Sequence, residues 1–276
     1  MIAEENLSAN LLKKWKKLKN RLKEHSSLVV AYSGGVDSSF LLKTAVLLNP
    51  ETSIGVIAQS PSLSKKEFDF AIDLAKKHAL PIEIITTTEL EDKNYTNNDL
   101  NRCFYCKSDL FSHLLKFAAK NQYEYIADGT NFDDIKGHRP GHKAAQEKNI
   151  LSPLLECELT KTEIRELSKM LNLETHDKPA MACLASRVTS GTEITESILK
   201  IIESAEDVLY KLGFRRFRVR YHENGSLARI EFNMNEIEKA LSPQMRQNIH
   251  DKLVNTGFQY VTIDILGYQT QPKKYS

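Results

Sequence analysis

The sequence predicts an α/β protein, with a parallel sheet sheathed by helices over residues 1–190 and a smaller α+β domain over residues 191–276. Three observations carry this. Apolar runs that suit strands alternate with helical patterns through the first half of the chain. A glycine turn, "SGGVDSS" at 33–39, stands between one such run and a helix. Beyond residue 190 one helical pattern gives way to segments in which polar and apolar residues alternate with a period of two. The chain has 276 residues, 41% hydrophobic and 27% charged. That is enough to bury a medium core and a small one.

In chain order, Leu7, Leu11, Leu12, Trp15, Leu18 and Leu22 recur at helical spacing with lysines between them, which predicts an amphipathic helix with a solvated basic face. "SLVVAYS" reads as a buried strand, followed by the glycine turn and the helix "SSFLLKTAVLL". "TSIGVIAQS" is a second strand, and "SKKEFDFAIDLAKKHAL" a helix opened by Ser64 and followed by Pro81. "IEIITTTEL" is a third strand. A cysteine-bearing helix then leads to a fourth, "YEYIADGTN". Such alternation predicts a parallel sheet covered on both faces, with ligands at the carboxyl ends of its strands. The loops at 33–38, 58–62 and 128–134 should therefore share one rim. From about Gly191, "ITESILKIIESAEDVLYKLG" is a helix. In "RFRVRYH", Arg216, Arg218 and Arg220 alternate with Phe217, Val219 and Tyr221, and a hairpin at Asn224 and Gly225 returns through "LARIEF". The last residues, "TQPKKYS", read as a frayed tail.

Charge and composition narrow the function. Lys+Arg 38 against Asp+Glu 36 leaves +2, too balanced for a nucleic-acid groove to show in bulk electrostatics. No apolar run approaches the roughly 18 residues of a membrane span, and the polar N-terminus lacks the apolar centre of a signal peptide. A cytoplasmic protein is expected. In that compartment four cysteines suit metal binding or thiol chemistry better than disulfides.

The glycine turn contains no lysine, so it differs from the P-loop, whose lysine reaches the β- and γ-phosphates. Gly34 and Gly35 allow backbone N–H groups to turn inward as an anion nest, and Ser38 and Ser39 open a helix whose positive end faces the same point. Asp37 would repel phosphate unless a divalent cation lay between them, which points to Mg²⁺. "NRCFYCKSDLF" sets Cys103 and Cys106 one helical turn apart on one face. This spacing suits a thiophilic ion, although a cysteine pair by itself also suits apolar packing. Cys183 stands in "KPAMACLASRV" beside the basic Arg187, whereas Cys157 is assigned to packing. His138, His142, His176 and His222 match no zinc spacing and read as ordinary histidines. The arginines aligned on one strand face suit a phosphate monoester, because a guanidinium fork matches phosphate oxygens.

"SGGVDSS", placed between strand and helix, resembles the PP-loop signature of the ATP pyrophosphatase superfamily, whose members cleave ATP between the α and β phosphates to adenylate a substrate. The resemblance implies that Ser33, Gly34, Gly35, Asp37, Ser38 and Ser39 hold pyrophosphate. Adenine would lie against Ala58, Gln59 and Ser60, and Asp128, Gly129 and Thr130 would stand at the rim. Together with "DGTNFDDIKGHRPG", "MACLASR" and "FRVRYHENGSLARIEF", the chain from about residue 25 to residue 267 resembles the LarE family, ATP-dependent sulfur transferases of nickel-pincer nucleotide cofactor synthesis.

What this implies is specific. A carboxylate of a pyridinium dicarboxylate mononucleotide is adenylated and an oxygen is replaced by sulfur, with Asp37 and Cys183 as catalytic residues. Arg218 and Arg220 hold the substrate phosphate, with Glu231, Ser186 and Arg187 completing the pocket. Cys183 matches the family's sulfur-bearing cysteine. By adding Cys103 and Cys106 the chain departs from members that sacrifice one cysteine, and resembles a branch in which the three thiols hold a [4Fe–4S] cluster served by a sulfide donor. A homo-oligomer assembled through the C-terminal domain is also expected. Two rivals stand beside this reading. A tRNA thiolase would need a nucleic-acid surface that the near-neutral charge does not advertise. A nucleotide-binding regulator with a structural zinc would release no pyrophosphate.

Overall fold

Four apolar segments, β1 (Leu28–Tyr32), β2 (Ser53–Gln59), β3 (Ile82–Thr86) and β4 (Tyr125–Ala127), lie side by side as a parallel sheet in the order β3-β2-β1-β4. The structure is a computed structural model that describes residues 2, 4–135, 140–179 and 182–269. His138, Met181 of "MACLASR" and the whole of the C-terminal tail "TQPKKYS" lie outside the described residues.

The sheet has two apolar faces because side chains alternate along each strand. Leu28, Val30 and Tyr32 pack into one cluster, whereas Val29 packs into another. The first cluster takes in Leu11, Trp15, Leu18 and Leu22 of α1 (Ala9–Lys23) and Phe40 and Leu41 of α2 (Val36–Leu48). It also contains residues of α3 (Lys65–Lys77). The short α4 (Lys93–Thr96) precedes α5 (Arg102–Lys120), whose Phe111 and Leu114 fill the second cluster with Ala144 and Ala145 of α6 (Pro140–Glu147). A short α7 (Pro153–Glu156) and α8 (Lys161–Met170) complete the first layer. Helix starts follow local chemistry. Ser8, Ser64 and Thr160 each accept a hydrogen bond from the backbone N–H three residues on, and Thr160 with Glu163 forms a capping box.

The basic face of α1 is solvated at Lys13, Lys16, Lys17 and Lys23, as expected, but it is also tied to the chain. Lys14 Nζ donates to Glu158 O at 2.8 Å and pairs with Glu163 at 2.9 Å, Lys17 Nζ donates to Glu156 O at 2.7 Å, and Arg21 pairs with the Glu156 carboxylate. The helix carries cations because the segment beneath it presents carbonyls and carboxylates.

The chain divides into two compact units, Met1–Tyr95 with Asn101–Met181, and Thr96–Leu100 with Ala182–Ser276. The second unit holds α9 (Glu196–Lys211), β5 (Phe217–His222), β6 (Leu227–Phe232), α10 (Met234–Leu241), α11 (Pro243–Val254) and β7 (Tyr260–Ile263). Its sheet runs β5-β6-β7, antiparallel then parallel. At the hairpin, Asn224 and Gly225 have φ of 52° and 98°, and a Cβ on Gly225 would stand 2.5 Å from Tyr221 Oη. The division falls earlier than the expected boundary after residue 190 and adds 96–100 to the second unit. That segment is held by Asn98, whose Nδ2 donates to Thr189 O at 2.8 Å and Thr192 O at 3.1 Å, and by Ile194 N to Thr96 O at 2.8 Å. Among the described residues no helix is long and apolar enough to cross a membrane.

Candidate functional site

β1 delivers the chain to the glycine turn at the carboxyl edge of the parallel sheet. Tyr32 Oη donates to Ala71 O of α3 at 2.8 Å, drawing the turn against that helix. Gly34 has φ of 67°, and a Cβ there would come within 2.5 Å of Ala71 Cβ, so both backbone angle and space require glycine. Gly35 is the N-cap of α2 and no side chain caps this end. The first N–H groups of α2 therefore lack intrahelical partners and can meet an anion.

The serines divide. Ser33 Oγ and Ser38 Oγ share a hydrogen bond of 3.1 Å, and Ser38 Oγ also accepts from Ser33 N at 3.2 Å. Ser39 is fully buried, and its N–H closes on Gly35 O at 3.0 Å. Gly129, just past β4, faces the same helix end: a Cβ there would lie 3.0 Å from Ser38 N and 3.2 Å from Asp37 Cβ. Asp128 holds this rim by accepting from Thr130 N at 3.1 Å, Thr130 Oγ1 at 2.6 Å and Ser152 Oγ at 2.9 Å. Past β2, Ser60 donates to the buried Glu89 carboxylate and accepts from Ser62 N at 3.0 Å, while Ala58 is half-buried in register with Ile85.

Asp37 lies in the first turn of α2. Lys161 Nζ donates to its Oδ2, whereas Oδ1 is buried without a partner. Burial pushes this carboxyl up, against the pull of Lys161. A buried carboxylate oxygen without a donor suits a hard cation, and Mg²⁺ commonly takes one or two carboxylates and completes its shell with water and phosphate oxygens. Among the described residues no group of three or more His, Cys, Asp or Glu could form an all-protein cage. Lys161 was not legible as a site residue. Its place in a Thr-x-x-Glu capping box marks a helix start, but nothing local says that its ammonium reaches Asp37, 124 residues away. Thus a lysine from another element stands at the loop.

Cys103 is exposed and Cys106 half-buried at the start of α5, and neither is in a disulfide. Cys157 is 1% exposed, and burial pushes its thiol up to about 11, which keeps it protonated and inert. Cys183, in the second unit, is exposed ahead of the tight turn Leu184–Arg187. Its carbonyl accepts from Ser186 N at 3.0 Å, Ser186 Oγ at 2.7 Å and Arg187 Nη1 at 3.2 Å. Arg187 is 3% exposed, and its guanidinium pairs with Glu206 of α9 at 2.9 Å. Glu206 also accepts from Val219 N at 3.1 Å. This arginine therefore braces the cysteine turn.

The arginine face forms beside that turn. Arg218 and Arg220 of β5 stand opposite Glu231 and Arg229 of β6. Arg220 grips Glu231 through two hydrogen bonds of 2.9 and 3.2 Å and donates to Ser186 O at 2.7 Å. Arg218 donates to Gln269 O and Tyr268 Oη, with its guanidinium 4.2 Å from the Tyr268 ring centre. Arg229, overlooked in the sequence although it belongs to the "LARIEF" alternation, donates to His222 Nε2 at 3.1 Å and pairs with Asp264. Three guanidinium groups thus share the carboxylates of Glu231 and Asp264, and Arg216 stands beside them with its guanidinium 5.3 Å from the Tyr268 ring centre.

No family model matches the chain. An uncharacterised protein of Synechocystis sp. is 39% identical over 242 residues, 88% of this chain and 90% of that protein. The pyridinium-3,5-bisthiocarboxylic acid mononucleotide synthase of Lactiplantibacillus plantarum is 33% identical over 250 residues, covering 90% and 89%. An uncharacterised protein of Methanocaldococcus jannaschii is 33% identical over 262 residues, covering 94% and 98%.

Proposed function

The chain belongs to the LarE family, that of the pyridinium-3,5-bisthiocarboxylic acid mononucleotide synthase, and from that membership we propose that it is an ATP-dependent sulfur transferase of nickel-pincer cofactor synthesis. Its substrate is a pyridinium dicarboxylate mononucleotide. A carboxylate oxygen of this substrate attacks the α-phosphate of ATP, the α–β bond breaks, and pyrophosphate leaves. Sulfur then attacks the acyl carbon and AMP departs, so that a C–S bond replaces a C–O bond. The glycine turn and the free N–H groups of α2 receive the departing pyrophosphate, and Lys161 adds positive charge beside it. Mg²⁺ held by Asp37 would neutralise phosphate charge. The single observation that carries the reading is the orphaned, buried Asp37 Oδ1 at an uncapped helix N-terminus, a pairing that suits a metal-bound polyphosphate.

In the second unit, Arg218, Arg220 and Arg229 suit the substrate phosphate, and Ser186 joins this cluster to the exposed Cys183. A [4Fe–4S] cluster on Cys103, Cys106 and Cys183 would offer an open coordination position for sulfide from a donor. The two cysteines of α5, a helical turn apart and outside any disulfide, support that arrangement over the sacrifice of Cys183 alone.

The test is anaerobic purification followed by incubation with ATP, Mg²⁺, sulfide and the dicarboxylate mononucleotide. Pyrophosphate, AMP and a product in which sulfur replaces oxygen should form over many turnovers. With Cys103→Ala and Cys106→Ala, iron content and multiple turnover should be lost. Absence of pyrophosphate release with every acceptor tried would leave only a nucleotide-binding regulator, and a single turnover in which Cys183 loses its one sulfur would establish the sacrificial route.

A further inference from the structure

The glycine turn requires a particular peptide orientation, and Gly-Gly does not select one. In a planar trans peptide the C=O of Gly34 and the N–H of Gly35 point in opposite directions. An anion nest needs the N–H inward, so the Gly34 carbonyl must point outward and find a donor there. Glycine at φ of 67° turns over with little steric resistance, and a reversed peptide would aim a carbonyl at the phosphate.

Lys178 supplies the donor. Its Nζ lies 3.2 Å from Gly34 O, 2.8 Å from Glu67 Oε2 of α3 and 3.6 Å from the Phe70 ring centre. Its side chain is 14% exposed. The backbone that carries it is fixed as well, because Arg165 of α8 donates to His176 O at 2.5 Å and Lys178 O at 2.7 Å. One helix thus sets two lysines on the loop, Lys161 against Asp37 and, through Arg165, Lys178 against Gly34. Burial of the Lys178 ammonium disfavours its charge, and an ion pair with Glu67 alone would not require its third contact with the loop.

We propose that Lys178 is a positioning residue of the nucleotide loop, holding the Gly34–Gly35 peptide with its carbonyl outward so that the Gly35 N–H faces the pyrophosphate. The inference rests on the reading of this loop as an ATP site. Lys178 touches no reacting atom. Its effect is on how tightly the polyphosphate is held, and it acts only through the loop backbone.

The experiment is calorimetric titration of the full chain with pyrophosphate, with ATP kinetics in parallel. Lys178→Met should bind pyrophosphate about tenfold or more weakly and raise KM for ATP by a similar factor, with kcat within about threefold of the native value. Lys178→Arg, which keeps a charged donor, should recover most of the affinity. Glu67→Gln should stay within about twofold, because its amide oxygen still accepts from the ammonium. Undiminished binding by Lys178→Met overturns the inference, and so does an equal loss in Glu67→Gln, which would make Lys178 only a tie between elements. Should Lys178→Met not fold, the Gly35 amide resonance of the native protein decides: it should shift strongly on adding pyrophosphate, and no shift overturns the proposal. If the native chain binds neither ATP nor pyrophosphate, the nucleotide reading itself falls, which is a different result from native binding unaffected by Lys178→Met.

Discussion

Asp37 is a carboxylate that the fold holds charged at a disadvantage. Burial outweighs the attraction of Lys161, and Oδ1 has no donor. Because its folded pKa is raised above the unfolded value, the fold favours the protonated form. The associated stability is present below the ordinary carboxylate range and lost as pH rises through the raised pKa. Asp37→Asn should therefore be more stable than the native chain at pH 7, by roughly 1 kcal/mol, and the difference should close as the pH falls below about 4. It should also release no pyrophosphate. Urea unfolding at the two pH values checks the first claim, and a variant less stable at pH 7 would show that Asp37 serves packing rather than metal binding. A residue that costs stability where it stands is what a functional carboxylate looks like in energetic terms.

Among the elements, β4 and α2 meet at Gly129, whose Cα faces the amide of Ser38. An added Cβ would press on backbone, which cannot rotate away as a side-chain tip could. Gly129→Ala should weaken ATP binding about tenfold while lowering stability by about 1 kcal/mol, measured by calorimetry and denaturant unfolding. Unchanged affinity would place the nucleotide elsewhere on the rim. Helix starts were legible in the sequence because a cap is a local event: Ser64 and Thr160 each satisfy an amide three residues on. The strands were legible for a similar reason, since the core strand β1 alternates between two apolar clusters. The engagement of the α1 lysines by Glu156, Glu158 and Glu163 was not, because their partners belong to a segment about 140 residues away.

At the scale of the whole molecule, Thr96–Leu100 leaves the first unit's sequence and joins the second through Asn98, which is 1% exposed at φ of 54°. Asn98→Ala would leave the Thr189 and Thr192 carbonyls without their donor and place alanine in a left-handed backbone. A loss of about 2 kcal/mol or more is expected, seen as faster amide exchange across 188–194 with the β1 amides unchanged. Equal acceleration in β1 would mean that Asn98 supports both units alike. The sequence by itself determined the α/β class, the four parallel strands, the glycine turn between strand and helix, and the Arg218 and Arg220 alternation. Each of these is written in periods of two or 3.6 residues, or in one turn's chemistry. Only the tertiary structure decided that Lys161 faces Asp37, that Lys178 holds Gly34, that Arg187 turns inward to Glu206, and that Arg229 joins the arginine face with Asp264. The physical reason is that an ion pair or an orphaned carbonyl is answered by whichever side chain the topology carries to it. Among 38 lysines and arginines, no local pattern says which one that will be.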